Sequence, residues 1–264
     1  MKSKHAKGKS SCSKDNKNAN VKNKHVKEKN KNKKMKAMLL NFLQLIFLCL
    51  MIYSGTKIYF WWKDNQANDE IMQEISANTK NGINFEKLKQ INDETVAYLK
   101  VNGTNIDYPV VQHKDNDYYL SHSFDKSENG AGWIFADFRN NIDDKNKNLI
   151  IYGHNRRDGS MFGSLKNILN QDWYNNEENL KITFITEKET QIYEVFSVYT
   201  IEKEDYYITT DFTEETYKEF LNTIKGRSIN DFDVDVEVDD SILTLSTCGN
   251  NNKYRVVLHA KKLK

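Results

Sequence analysis

The chain has 264 residues, of which 29% are charged and 38% hydrophobic, and its net charge is +2. This length allows one sizeable domain and an appendage. Fourteen lysines against Asp15 and Glu28 give residues 1–36 a charge of +12, which leaves −10 for the rest of the chain. The lysines occur without arginine or interleaved aromatic residues, which argues against a nucleic-acid-binding protein. We predict that residues 1–36 form a disordered tail, because they cannot bury enough apolar surface to fold.

An apolar segment follows at residues 37–60. With Trp61 and Trp62 as interfacial aromatic residues, it is long enough for a transmembrane helix, which needs ~20 residues. We predict a single-pass anchor in the cell membrane, with the lysine-rich N-terminus in the cytoplasm and the C-terminal domain outside. A cleaved signal peptide is the weaker alternative, because the preceding segment is too long and no small-x-small cleavage site follows.

The three cysteines, Cys12, Cys49 and Cys248, lie far apart in the chain. Their spacing matches no metal-ligand pattern and indicates no disulfide, so we expect neither a metal nor another cofactor. Cys248 is the one thiol of the predicted outer domain, where a free thiol is notable as a reactive group.

The outer part of the chain is predicted to be mainly β. Residues 61–84 are expected to form a helical stem, and residues 85–264 a domain that begins with a short helix. From residue 96 onward, short alternating runs separated by Gly and Asn predict strands. These predicted strands cover residues 96–101, 103–111, 132–137, 148–152, 180–186 and 191–200, and a hairpin covers 241–258.

Two helices are predicted within this β domain. The first is short and covers residues 161–169. The second covers residues 211–225, where Asp211 and Glu214 have the spacing of a capping box and Gly226 follows the last turn. One face of the second helix is apolar and is expected to pack on the sheet: Tyr217, Phe220, Leu221 and Ile224.

The hairpin at residues 241–258 brings a thiol and a guanidinium together. Cys248 ends its first arm and Arg255 lies early in its second, so pairing places both at one end of a sheet. Alternation puts Cys248 on the same face as Thr244 and Ser246, and a fixed positive charge nearby favours the thiolate. Taken alone, such a cysteine is more often a small buried hydrophobe and such an arginine a solvated edge charge, so both interpretations remain open.

His154 follows directly after the apolar run NLIIY on a glycine-flanked loop. This placement is typical of functional residues, although histidines there also commonly face solvent. Cys248, His154 and Arg255 together are a nucleophile, an acid/base and an oxyanion donor, which acyl transfer from a peptide bond requires. The neighbouring Arg156 and Arg157 are interpreted as surface charges.

The other histidines of the domain are expected to be solvated or packed on strands: His113, His122 and His259. Since His259 lies close to Arg255 in sequence, it is kept as an alternative base.

Several spaced motifs in residues 85–264 resemble those of one protein family. They are TLSTC at 244–248 with the arginine at 255, IIYGHN at 150–155, DGSMFGSL at 158–165, NGTNIDYPVVQ at 102–112, DNDYYL at 115–120 and GWIFADFR at 132–139. The family is the sortases, the cysteine transpeptidases of Gram-positive cell surfaces, and the resemblance is to class B. It implies an eight-stranded β-barrel with N-terminal helices and a helix between strands six and seven, which matches residues 211–225.

The resemblance also implies roles for individual residues. Cys248 is the nucleophile, His154 the acid/base, and Arg255 the stabiliser of substrate and oxyanion. Ser246 matches a position that borders the bound sorting peptide. Two weaker candidates for the wall of the peptide groove, for which ordinary loop packing is an equal alternative, are Tyr207 and Ile208.

The implied reaction begins when Cys248 attacks the bond after a Thr in the C-terminal sorting signal of a secreted protein. An amine of the peptidoglycan precursor or cross-bridge then resolves the thioacyl-enzyme. Some class B members have an acid shortly after the cysteine, but this chain has Gly249 and Asn250 there, so it lacks a triad through that position. The alternatives are a membrane-tethered cysteine peptidase that only hydrolyses and a non-catalytic wall-binding module.

Overall fold

A computed structural model of the chain describes residues 12–79, 82–142, 146–248 and 253–263, with the backbone alone for residues 12–23 and Cys248. Residues 1–11 of the predicted tail, and Gly249 and Asn250, lie outside this part. The chain divides into two compact units, Met1–Phe60 and Trp61–Lys264.

Within the first unit, the described residues are helical and belong to α1, which covers Cys12–Thr79. Within the described residues, α1 is the one helix whose length and apolar composition suffice to cross a membrane. Its apolar side chains around residues 38–60 are exposed. The structure gives residues 12–36 as helix where the sequence predicts disorder. Lysine is a good helix former, and a helix that extends from the apolar segment needs no separate nucleus.

The second unit contains a closed eight-stranded barrel, which confirms the predicted fold class. Its strands are β1 Thr95–Val101, β2 Ile106–Val111, β3 Phe135–Ala136, β4 Asn148–Gly153, β5 Lys181–Ile185, β6 Thr190–Glu202, β7 Ile242–Cys248 and β8 Tyr254–Lys262. They follow the order β1-β2-β3-β4-β7-β8-β6-β5, and β5 pairs back to β1. The pairs β2–β3 and β4–β7 are parallel, and the other pairs are antiparallel.

Short helices surround the barrel. The α-helices are α2 Phe85–Ile91, α3 Gln171–Tyr174 and α4 Glu214–Gly226. Single turns of 3₁₀ helix cover Tyr118–Leu120, Leu165–Leu169, Glu177–Leu180 and Tyr206–Ile208. As predicted, α4 lies between the sixth and seventh strands of the chain.

The domain has two apolar clusters, and opposite faces of the strands contribute to them. Leu243 and Leu245 of β7 belong to the large cluster that fills the barrel. Ile242 of the same strand belongs to a second cluster, which contains the predicted apolar stripe of α4. Because successive strand residues point to opposite sides, β7 can serve both clusters at once. Ser246, which alternation places on the same side of β7 as Ile242, is buried as well.

Several predicted boundaries are wrong. The capping box of α4 is formed by Thr213 and Thr216, not by Asp211 and Glu214: the Thr213 hydroxyl accepts from the Thr216 amide (3.2 Å) and the Thr216 hydroxyl from the Thr213 amide (2.9 Å). The second strand begins only at residue 106, because Gly103 has φ of +69° within a turn. The predicted helix at 161–169 shrinks to the 3₁₀ turn at its end.

Candidate active site

The backbone brings the three predicted catalytic residues to one edge of the barrel. β4 and β7 are parallel neighbours, and Gly153 of β4 pairs with Thr247 of β7. The residues that follow these two are therefore His154 and Cys248, respectively. Neighbouring strands lie ~4.8 Å apart. Cys248 is in turn paired with Arg255 of β8, whose side chain is half-buried. The topology thus places the thiol-bearing, imidazole-bearing and guanidinium-bearing residues side by side, while their roles remain predictions.

His154 is held by a carbonyl group. Its Nε2 lies 2.8 Å from the carbonyl oxygen of Leu120, the last residue of a 3₁₀ turn. Because a carbonyl can only accept, Nε2 carries the hydrogen in this arrangement, and Nδ1 is the basic nitrogen of the neutral ring. The contact fixes both the orientation and the tautomer of the imidazole.

Gly132 shapes the space that the imidazole occupies. Its φ is +60°, a conformation that glycine adopts easily. A Cβ at this position would lie 2.6 Å from the carbonyl oxygen of Tyr119 and 2.7 Å from Cδ2 of His154. Any larger residue would therefore push the ring away. Sequence reasoning missed this role, although the motif GWIFADFR begins with this glycine.

Two of the predicted substrate-binding residues contact each other. The hydroxyl of Tyr207 lies 3.0 Å from that of Ser246, and both side chains are buried. Ile208 is half-buried, and its carbonyl oxygen accepts a hydrogen bond of 3.0 Å from Nη2 of Arg139. These contacts dock the turn Tyr206–Ile208 on β7, and substrate binding by the three residues remains a prediction.

Asn148 joins this turn to the barrel wall. Its amide nitrogen donates to the carbonyl oxygens of Tyr207 (3.3 Å) and Thr209 (2.9 Å). Its amide oxygen accepts from the hydroxyl of Thr244 at 2.5 Å. Because the Thr244 hydroxyl is used as a donor there, it accepts from Nδ1 of His259 at 2.8 Å. The result is a buried polar chain that connects β4, β7 and β8.

His259 is the end of that chain and is fully buried. Its Nε2 accepts from the hydroxyl of Tyr199 at 2.8 Å. Burial, with a smaller contribution from the positive charge of Arg227, lowers the pKa of His259 to about 3. The expectation of strand packing is confirmed for His259. Its two ring nitrogens already have partners within the barrel wall, which argues against the alternative that it is the base.

The other two histidines of the domain, His113 and His122, also contact neighbouring groups. Nδ1 of His113 lies 2.9 Å from a carboxylate oxygen of Glu94. Nδ1 of His122 lies 2.7 Å from the carbonyl oxygen of Tyr118, and its ring stacks on that tyrosine. These contacts give both histidines structural partners.

Asp137 is a buried carboxylate that sequence reasoning missed. It accepts from Nε (2.8 Å) and Nη2 (2.6 Å) of Arg139, from the hydroxyl of Tyr152 (2.8 Å) and from the amide of Asn116 (3.0 Å). Burial alone would raise the pKa of Asp137, but these hydrogen bonds outweigh it and hold the pKa below its usual value. Arg139, which the carboxylate holds in place, also donates to the carbonyl oxygen of Ile208.

The two arginines after His154 differ. Arg157 is exposed, as predicted. The prediction of a surface charge is wrong for Arg156, whose side chain is only 10% exposed. It pairs with Asp158 at 3.0 Å and donates to the side-chain oxygen of Asn65 in α1. A partner 91 residues away in sequence buries this guanidinium.

Across the described ranges, no group of three or more His, Cys, Asp or Glu side chains is placed to hold a metal ion.

Comparison with known proteins adds an independent line of evidence. The family model for the sortase domain matches residues 99–263. Sortase B of Listeria monocytogenes is 36% identical over 236 residues, which cover 83% of this chain and 94% of that protein. The crystal structure of Bacillus anthracis sortase B in complex with AAEK1 has a TM-score of 0.71 at 38% identity and covers 77% of this chain and 99% of that one. A Staphylococcus aureus sortase B–substrate complex has a TM-score of 0.64 at 35% identity, with 80% and 98% covered.

Proposed function

The chain belongs to the sortase family, in its class B, and is therefore a cysteine transpeptidase; from this premise we propose that it anchors secreted proteins to the cell wall. It cleaves a C-terminal sorting signal after a threonine and transfers the acyl group to an amine of the peptidoglycan precursor or cross-bridge. The proposal rests on one observation: Cys248, His154 and Arg255 lie on adjacent backbone segments at one edge of the barrel.

These three groups can carry out both steps of the reaction, acylation of the enzyme and transfer of the acyl group. The Cys248 thiolate attacks the threonine carbonyl, and the guanidinium of Arg255 stabilises the negative charge that develops on its oxygen. The carbon–nitrogen bond then breaks, and the leaving amine takes a proton from the protonated imidazole of His154. A thioester between Cys248 and the threonine remains. In deacylation an acceptor amine attacks this thioester, gives a proton to His154 and releases the thiolate.

The sorting peptide binds along β7 and the turn Tyr206–Ile208. The hydrogen bond between Tyr207 and Ser246 and the bond from Arg139 to Ile208 support this assignment, because they hold the turn at a fixed position beside the strand that ends in Cys248. A preordered wall lowers the entropy cost of binding an extended peptide.

We also propose that α1 anchors the enzyme as a single-pass helix, with the N-terminus in the cytoplasm and the catalytic domain outside. Support comes from the apolar composition of residues 37–60 of this helix and from the lysines on the N-terminal side of that segment. A catalytic domain outside the cell is where secreted proteins and cell-wall amines are accessible.

The proposal is tested by trapping the intermediate. Full-length protein in detergent is mixed with a library of sorting peptides, and Cys248 is analysed by mass spectrometry. We expect a thioacyl adduct that ends in threonine, its transfer to an added amine, and no adduct on Cys248→Ala. The absence of any adduct, or an adduct on another residue, would contradict the proposal. If only hydrolysis product formed even with excess amine, the result would favour the alternative of a cysteine peptidase that only hydrolyses.

Replacing Gly132 with alanine is expected to lower kcat/KM for the sorting peptide by a factor of roughly 10 to 100, because an ångström-scale displacement of a catalytic group can cost that much. The new Cβ would overlap both His154 and the Tyr119 carbonyl oxygen. The matched control is Gly226→Ala, since a Cβ at Gly226 has nothing within 4 Å. Full activity of a folded Gly132→Ala protein would show that the space left by Gly132 is not needed to position the imidazole.

A further inference from the structure

The carbonyl oxygen that orients His154 belongs to a short turn, and one buried side chain anchors that turn. The turn covers Tyr118–Leu120, and Leu120 supplies the acceptor for Nε2 of His154 at 2.8 Å. Its neighbour Tyr119 is only 1% exposed, and the Tyr119 carbonyl oxygen accepts from the backbone amide of Trp133 at 2.9 Å. Because only two soft torsion angles separate neighbouring peptide groups, a fixed Tyr119 also restricts the Leu120 carbonyl group.

Two side chains hold the hydroxyl of Tyr119. The hydroxyl donates to Oε2 of Glu94 at 2.6 Å and accepts from the side-chain nitrogen of Asn92 at 2.8 Å. Burial alone would raise the pKa of Glu94, but hydrogen bonds from Tyr119 and His113 outweigh it and hold the pKa below its usual value. Glu94 is therefore ionised at neutral pH. A hydrogen bond to an ionised carboxylate is about twice as strong as one between neutral groups.

Asn92 and Glu94 are themselves fixed between α2 and β1. The backbone amide of Asn92 donates to the carbonyl oxygen of Leu88, within α2, at 2.9 Å. The side-chain oxygen of Asn92 accepts from the backbone amide of Glu94 at 2.9 Å, and its side-chain nitrogen also donates to the carbonyl oxygen of Phe124 at 2.7 Å. Both partners of the Tyr119 hydroxyl thus belong to a hydrogen-bonded junction that precedes the barrel.

We propose, building on the transpeptidase function, that Tyr119 is a positioning residue, and that its hydroxyl holds the Leu120 carbonyl group against the imidazole of His154. During acylation, Nδ1 of His154 gives its proton to the leaving amine, and during transfer it takes one from the acceptor amine. Nε2 keeps its hydrogen throughout, so it can donate to the same carbonyl oxygen in the protonated and the neutral ring. A fixed Leu120 carbonyl group therefore keeps the imidazole in one orientation while its charge changes.

The first test compares two neighbouring tyrosines in the full-length protein in detergent. Tyr119→Phe keeps the ring and removes the hydroxyl, and we expect it to lower kcat/KM for a fixed sorting peptide by about tenfold. The matched control is Tyr118→Phe in the same turn. The Tyr118 hydroxyl lies 3.5 Å from the carbonyl oxygen of Lys126, longer than an ordinary hydrogen bond, so its removal should change kcat/KM by less than about twofold. Thermal melting shows whether both variants are folded.

A second arm removes the carboxylate that accepts from the hydroxyl. We expect Glu94→Ala to lower kcat/KM by about tenfold, and Glu94→Gln, which retains an acceptor oxygen, to recover part of that loss. Because Glu94→Ala and Tyr119→Phe break the same link, the double variant should lose little more than either single variant. Asp93→Ala is the matched control, since Asp93 also pairs with Lys126 but its side chain is 82% exposed.

Hydrogen exchange of imidazole N–H groups separates positioning from a general structural role. In full-length protein labelled with ¹⁵N-histidine, we expect Tyr119→Phe to speed exchange of the Nε2 hydrogen of His154 by about tenfold, because its acceptor is no longer held in place. The Nδ1 hydrogen of His259, which is buried in the barrel wall and donates to Thr244, is the internal reference and should exchange at an unchanged rate.

The outcomes separate this inference from the function on which it rests. A folded Tyr119→Phe protein with unchanged kcat/KM and unchanged exchange at His154 would overturn the positioning role and leave the transpeptidase function intact. Equal acceleration at His154 and His259 would also overturn it, because the whole barrel would then be loosened. If Tyr119→Phe does not fold, Glu94→Ala is judged by the same measurements. An unmodified protein that cleaves no sorting peptide would overturn the transpeptidase proposal, whereas the exchange experiment would still test the contact at His154.

Discussion

Replacing His154 with alanine is expected to lower kcat/KM for sorting-peptide cleavage by a factor of about 10² to 10⁴, the range that general acid–base catalysis contributes. His154 directly follows β4 and Cys248 ends the neighbouring parallel strand β7, and the imidazole is oriented by the Leu120 carbonyl oxygen. Without the imidazole, the leaving amine departs unprotonated. Steady-state cleavage of a fluorogenic peptide by the full-length protein measures the effect, and thermal melting shows whether the variant is folded.

The control for this experiment is His259→Gln. His259 is buried between Thr244 and Tyr199, so it has no path to the substrate. We expect a folded His259→Gln protein to retain most of its kcat/KM at neutral pH. The reverse result, with His154→Ala active and His259→Gln inactive, would make His259 the base and overturn the assignment.

Acid is expected to destabilise the protein through His259 before most carboxylates titrate. In the folded protein the pKa of His259 is about 3, whereas an unperturbed histidine has 6.5. Between these values the unfolded chain binds a proton that the folded protein does not, so the free energy of unfolding falls as pH decreases. The contribution is fully present above pH 6.5, and its loss approaches ~1.4 kcal/mol per pH unit below that value. No further change from this group is expected below about pH 3.

Urea denaturation of the full-length protein at several pH values between 7 and 4 measures this dependence. We expect the unmodified protein to lose stability on the order of 2 to 3 kcal/mol over that range beyond the loss shown by His259→Gln. The glutamine cannot titrate but retains a donor and an acceptor for Thr244 and Tyr199. Parallel pH profiles for the two proteins would mean that His259 is protonated in the folded state and would contradict the lowered pKa.

Local patterns of the sequence were sufficient for the framework of the barrel. The apolar stripe of α4 is repeated in its buried residues, and the alternation in β7 is repeated in the two clusters to which its residues belong. Boundaries were less predictable, because two capping pairs lie close together before α4. Asp211 with Glu214 and Thr213 with Thr216 both have the required spacing. Local spacing does not choose between these pairs, and in the structure the helix begins at Glu214 with Thr213 as its cap.

The environment of the candidate site could not be predicted in the same way. Arg156 donates to Asn65, 91 residues away in sequence, and Thr244 donates to Asn148, 96 residues away. Asp137 gathers hydrogen bonds from three separate segments. Contacts between distant residues leave no periodic signal in a single chain, so the sequence offered no means of finding them.

The sequence by itself determined which chemical groups the protein has and the elements that carry them: a lone outer thiol at Cys248, a histidine after β4, an arginine in β8, and an apolar segment near the N-terminus. Periodicity and spacing are local properties, so they can be read along the chain. Only the tertiary structure decided which histidine is available for chemistry. The pKa of His259 is set by burial and by Arg227, and the orientation of His154 by Leu120, since both depend on residues that the fold brings together.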